Sequence, residues 1–166
     1  GGKKMASIFG LKLKGRRSFM GRDWQGNQGN LYLDEKKIAW YNDSGNGGPA
    51  DIDFYDISGR KENEAKLEEI VKMYYKKYPL EEQYKNLEPD VEMLIGRLIE
   101  LMDDEKQYKK YAKQGYPVMI AYRKNANGVS YFGAYKTKEF ADADIKKENL
   151  IVLQRYESLE DFDISQ

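Results

Sequence analysis

At 166 residues the chain is long enough to bury one core and short enough to read as a single domain. Its 28 Lys and Arg balance 28 Asp and Glu, so no global field calls for nucleic acid. The absence of Cys and His excludes disulfides, thiol nucleophiles, Cys/His zinc sites and imidazole general bases, and leaves a metal only oxygen ligands.

An aromatic content of 13% argues against disorder along the whole length. No apolar run approaches the ~18 residues that a bilayer span needs. No signal peptide precedes Met5, and Gly1-Gly2-Lys3-Lys4 reads as a remnant ahead of a native start there. The expectation is a cytoplasmic protein with no membrane contact and no cofactor.

In chain order, Ser7 to Lys14 places Phe9, Leu11 and Leu13 on one face, the period of a half-buried strand. Gly15 to Gly29 reads as a polar loop. Asn30–Leu33 and Lys37–Tyr41 form a hairpin about Asp34-Glu35-Lys36. Asp43 to Pro49 breaks the pattern with a Gly-rich loop. Asp51 to Tyr55 resumes it, with Ile52 and Phe54 inward and Asp51 and Asp53 toward water.

From Asn63 the period turns helical, with Leu67, Ile70, Val71, Tyr74 and Tyr78 on one stripe. Pro79 ends that helix. Leu80 to Leu87 reads as a short second helix, and Pro89 as the first residue of a third that runs to about Gln114. Leu94, Leu98 and Ile99 belong to its core stripes, Asp103-Asp104-Glu105 marks where it leaves the core, and Gly115 ends it.

Strands at Pro117–Arg123 and Val129–Lys136 flank a hairpin signal at Asn127-Gly128. Thr137 caps a further helix with Phe140 and Ile145 inward. Leu150 to Tyr156 is the last strand, and the acidic Ser158 to Gln166 reads as frayed. The fold class is α+β: an antiparallel sheet of N- and C-terminal strands with a central helical segment at about 63–114, an insert or lobe.

Three groups carry chemistry. Gly45-Asn46-Gly47-Gly48 is neither a Walker loop nor a dinucleotide fingerprint, and reads best as a turn needing positive φ. Asp51 and Asp53 share a strand face and suffice for a magnesium-dependent hydrolase only with further ligands. Arg16, Arg17 and Arg22, with Phe19 and Trp24 interleaved, have the composition of a phosphate- and base-binding loop.

The 14 tyrosines, many beside lysine, are the strongest compositional oddity. Tyrosine is amphipathic and loses little entropy on ordering, which suits interfaces. Tyr75, Tyr84 and Tyr111, with Trp24, are the candidate partner-binding residues.

The segment LYLDEKKIAWYNDSGNGGPADIDFYD, residues 31–56, resembles the opening of short uncharacterised proteins of bacteriophages, plasmids and other mobile elements. The likeness lies in Leu31–Ala39 and Asn42–Gly48, with Glu35 where a turn glycine is expected. It implies a genomic setting and carries no catalytic residue. In that setting the expected function is non-catalytic protein binding, as an accessory protein or an inhibitor of a host defence enzyme such as a CRISPR-associated nuclease. The alternative is nucleic-acid binding through the Arg16–Trp24 loop. The hydrolase built on Asp51 and Asp53 ranks last.

Overall fold

The computed structural model describes residues 5–165; the expected remnant at Gly1–Lys4 and the terminal Gln166 lie outside them. The strands are β1 (Ser7–Ile8), β2 (Leu11–Met20), β3 (Gln25–Leu33), β4 (Lys36–Asp43) and β5 (Asp51–Phe54). Helices α1 (Arg60–Lys77) and α2 (Val91–Lys113) follow, then β6 (Val118–Arg123), β7 (Tyr131–Tyr135), α3 (Lys138–Glu148), β8 (Ile151–Tyr156) and β9 (Asp163–Ile164). The fold is α+β, and the pairs β1–β2, β2–β3, β3–β4, β4–β5, β6–β7 and β6–β8 are antiparallel.

The chain forms two compact units. Among the described residues the first holds Ala6–Glu100 with Ile164 and Ser165, and the second holds Leu101–Asp163 with Met5. The division falls inside the α2 range, between Glu100 and Leu101.

The first unit contains a six-stranded sheet in the order β5-β4-β3-β2-β1-β9, so the C-terminal residues pair beside the N-terminal strand. Period-2 alternation sends Leu11, Leu13, Leu31, Leu33 and Tyr41 inward, all at most 6% exposed. Leu67, Ile70 and Tyr74 of α1 and Leu94, Ile95 and Leu98 of α2 supply the buried helical side chains. The expected hairpin is present, and Asp34 and Glu35 themselves take left-handed φ of 50° and 68°. Two acidic residues thus adopt the turn geometry for which glycine is the easier choice.

Three local expectations fail in this unit. The first strand is broken at Phe9-Gly10, whose φ values of 48° and 84° turn the chain back into β2. The polar "loop" of residues 15–29 is a hairpin: β2 runs on to Met20 and β3 begins at Gln25. Its polar composition misled because one face is solvated and a bulge at Gly15-Arg16 breaks the alternation. Leu80–Leu87 contributes only a 3-10 turn, Glu82–Tyr84, and α2 starts at Val91, with Asp90 Oδ1 accepting the Met93 N–H at 2.8 Å. Pro89 therefore precedes the cap, since an Asp side chain satisfies an orphan donor that proline cannot.

The second unit contains the sheet β7-β6-β8. Asp103-Asp104-Glu105 does not leave a core. Leu101 and Tyr108 are buried, Glu105 is 7% exposed, and Asp104 accepts the Tyr156 hydroxyl at 2.6 Å. Three consecutive acids on a helix point in three directions, and only Asp103 reaches solvent fully.

Thr137 caps α3 as expected, its hydroxyl accepting from the Phe140 N–H. That cap sets the phase that puts Ala141 inward at 0% and leaves Phe140 61% exposed, against expectation, with Ile145 half-buried. The β6–β7 turn is organised by Asn125, not Asn127-Gly128. The Asn125 side chain accepts the Asn127 N–H and its carbonyl accepts the Gly128 N–H.

The described C-terminal residues are not frayed. Ser158 and Asp161 form a reciprocal capping box, and Phe162 is fully buried, its ring 4.3 Å from that of Tyr156.

Candidate functional site

The β2–β3 hairpin and the Gly-rich loop turn out to be one structure. The Gly45 carbonyl accepts the Asp23 and Trp24 N–H groups at 2.8 and 3.1 Å, and Asp43 Oδ1 accepts the Gly45 N–H at 3.0 Å. Gly45 has φ +72°, and a Cβ there would overlap the Trp24 carbonyl. The Gly45 N–H, one of the donors the loop could turn toward an anion, is thus spent on Asp43, in keeping with the turn reading.

The basic residues of the hairpin are also largely engaged. Arg16 Nε donates to Asn27 Oδ1 at 2.9 Å. Arg22 donates to the Asn46 carbonyl at 3.1 Å and lies 3.4 Å from Asp23. Lys12 pairs with Glu35, and Lys14 Nζ stands 3.7 Å from the same carboxylate. These two cations hold the Glu35 carboxyl below its ordinary pKa, the Lys12 hydrogen bond most of all. Arg17, Phe19 and Met20 face solvent, and Trp24 is 46% exposed.

Asp51 and Asp53 are exposed on one strand face as expected, paired across the sheet with Asn42 and Trp40. Among the described residues no group of three His, Cys, Asp or Glu is placed to hold a metal ion.

A cleft of about 840 Å³ opens between α1 and the approach to α2. Val71, Tyr75, Pro89 and Val91 supply apolar lining, with charged groups such as Lys72 and Glu88 around them. Helical spacing produces it: Glu68, Val71, Lys72, Tyr75 and Lys76 recur at three and four residues on one face. The segment Glu88–Glu92 forms the other wall, where Asp90 is held as the α2 cap and Glu92 Oε1 accepts the Ala50 N–H at 3.0 Å.

Tyr75 is half-buried in this wall. Its ring meets Tyr74 edge-on at 4.9 Å, and Tyr74, buried, is 5.0 Å from Tyr78 and accepts a hydrogen bond from Arg97 Nε at 3.0 Å. Burial, and next the neighbouring Tyr74, push the Tyr75 phenol up to about 12, so it stays a neutral donor at ordinary pH.

Of the other expected partner-binding residues, Tyr84 is 49% exposed in the 3-10 turn of the same unit, near Leu87 in sequence, itself 54% exposed. Trp24 sits at the hairpin tip. Tyr111 is half-buried on the part of α2 that belongs to the second unit. Of the four, Tyr75 alone is among the residues lining the cleft. Sequence reasoning missed Val71, Pro89 and Val91 as its lining, although the α1 face at 68, 71, 72, 75 and 76 was legible.

Comparison with protein-family models, curated proteins and solved structures yields no match. No helix among the described residues is long and apolar enough to cross a membrane.

Proposed function

We propose that the chain is a non-catalytic protein-binding module and that the α1–α2 cleft receives the partner. One observation carries the reading: Tyr75, set edge-on against the buried Tyr74, which accepts a hydrogen bond from Arg97, lines a wide cleft with apolar lining and charges around it. Binding energy in protein interfaces concentrates on such preorganised aromatic anchors inside a polar rim. The resemblance of residues 31–56 to mobile-element proteins makes a host defence enzyme, such as a CRISPR-associated nuclease, the first partner class to try, in the cytoplasm of a bacterial host. The hydrolase reading loses ground because Asp51 and Asp53 gain no third ligand among the described residues.

The test is affinity capture with the tagged full chain and with Tyr75→Ala, with and without nuclease treatment, followed by titration of the captured protein. Capture should survive nuclease, and Tyr75→Ala should weaken binding by more than ~1 kcal/mol while circular dichroism stays unchanged. Capture abolished by nuclease and indifferent to Tyr75 would sink the reading. Nucleic-acid binding through the Arg16–Trp24 hairpin remains the second reading, supported by exposed Arg17, Phe19 and Trp24 and weakened by the engagement of Arg16 and Arg22.

A further inference from the structure

The sequence holds two Asn–Gly steps, Asn46-Gly47 and Asn127-Gly128. Glycine after asparagine leaves the main-chain nitrogen unshielded by a side chain and the backbone free to rotate. Both asparagines are exposed, so accessibility does not separate the two steps. Their hydrogen bonding does.

At Asn127 the turn is closed. The Asn125 side chain accepts the Asn127 N–H at 3.2 Å, and the Asn125 carbonyl accepts the Gly128 N–H at 3.1 Å. Gly128 is also packed, since a Cβ there would stand 3.0 Å from Asn125 Oδ1. The Gly128 nitrogen is thus committed as a donor, and moving it costs that bond.

At Asn46 the arrangement is the reverse. The Gly47 N–H has no acceptor among the described residues, and the Asn46 side chain makes no hydrogen bond among them. Gly47 and Gly48 are exposed, and nothing lies within 4 Å of a Cβ at Gly48. Arg22 donates to the Asn46 carbonyl at 3.1 Å. That carbonyl and the Gly47 nitrogen belong to one peptide group. Loss of the Gly47 amide proton spreads negative charge onto the carbonyl oxygen, and a guanidinium hydrogen-bonded there favours the charged form. Asp23 Oδ2 lies 3.4 Å from the same guanidinium nitrogen, farther than the carbonyl, and offsets part of the effect.

We propose that Asn46-Gly47 is a self-modification site, at which Asn46 converts to aspartate and isoaspartate through a succinimide. Hydroxide takes the Gly47 amide proton, and the nitrogen attacks Asn46 Cγ. A bond from Cγ to the Gly47 nitrogen forms, the Cγ–Nδ2 bond breaks, and the side-chain nitrogen leaves as ammonia with a proton from water. Water then opens the ring. Cleavage between Cγ and the ring nitrogen gives aspartate, and cleavage between the main-chain carbonyl and that nitrogen gives isoaspartate. One water is consumed and one ammonia released, with no oxidant or reductant. Either product adds a negative charge beside Asp23. Isoaspartate also lengthens the main chain next to Gly45, whose carbonyl holds the Asp23 and Trp24 N–H groups. The conversion therefore alters the hairpin tip that carries Trp24.

The experiment incubates the full chain in mildly alkaline buffer, with and without denaturant. Peptide mapping by mass spectrometry reads conversion at each asparagine, and electron-based fragmentation separates aspartate from isoaspartate. In the folded chain Asn46 should convert at least about fivefold faster than Asn127, because Gly128 must first give up a hydrogen bond of ordinary strength. Arg22→Ala should slow Asn46 at least about threefold and leave Asn127 unchanged. The Arg22 side chain is 76% exposed, so its removal should leave the thermal midpoint in place. In denaturant the two steps should react alike, and Arg22→Ala should have no effect. Equal rates in the folded chain overturn the proposal, as does faster conversion at Asn127. So does a rate at Asn46 that is indifferent to Arg22→Ala, or one that falls as much in denaturant as in the folded chain.

Discussion

Tyr75, Tyr41 and Tyr135 all hold their phenols above the ordinary value near 10. Burial is the largest cause for each: Tyr41 and Tyr75 are pushed up to about 12, and Tyr135, hydrogen-bonded to Asp144 at 2.5 Å, is also raised. The folded state therefore prefers the neutral phenol more than the unfolded chain does. The stability this contributes is complete below about pH 10 and is lost as pH rises through about 12. Denaturation midpoints should fall across that alkaline interval, and Tyr75→Phe, which cannot ionise, should make the fall shallower. An identical decline in wild type and Tyr75→Phe would show that Tyr75 is solvated. At the same scale, Leu98 is 0% exposed. Leu98→Ala should cost about 2–5 kcal/mol in denaturant unfolding, and an unchanged midpoint would mean that α2 is not packed at this position.

Among the elements, the hairpin–loop junction is held by backbone geometry more than by side chains. Gly45→Ala forces alanine into left-handed φ, which costs about 1–2 kcal/mol before the overlap with the Trp24 carbonyl is counted. The expected result is a lowered thermal midpoint with a more mobile Trp24, read by its fluorescence; Gly48→Ala, with open space at its Cβ, should do neither.

Elements with uninterrupted periodicity were legible in sequence: α1 from its Leu67–Tyr74 stripe, β4, β5 and the core of α2. The failures have local physical causes. A strand whose outer face is Arg, Ser, Asn and Gln has the composition of a loop, so the β2–β3 hairpin was hidden. Phe140 has the bulk of a core residue, but the Thr137 cap sets the helical phase that turns Ala141 inward instead. The acidic tail hid Phe162, although Ser158 and Asp161 spell a capping box. The cleft was half legible: Tyr75 was visible as an oddity, but the wall at Glu88–Glu92 comes from a tertiary approach that no periodicity encodes.

For the whole molecule, the balance of charge has a consequence that depends on the absence of histidine. Between the carboxylates, near 4, and the tyrosines and lysines, near 10, no side chain of ordinary pKa titrates. The carboxylate and phenol shifts lie at the two margins of this interval. Glu35 is lowered by Lys12, first through its hydrogen bond, and Asp56 by the Ser58 hydroxyl, so both contribute stability above the unfolded carboxylate range that is lost as pH falls. The buried tyrosines act at the alkaline margin with the opposite sign. Thermal midpoints should therefore stay flat between about pH 6 and 9 and decline on both sides. The same flatness keeps net charge close to zero across the interval, so solubility should show a broad minimum relieved by salt rather than a narrow isoelectric dip. The check is a set of thermal melts and solubility measurements across that range at two salt concentrations. A midpoint that climbed or fell steadily through neutrality would mean that a buried carboxylate or lysine titrates far from its ordinary value, and would overturn the charge assignment on which the flat interval rests.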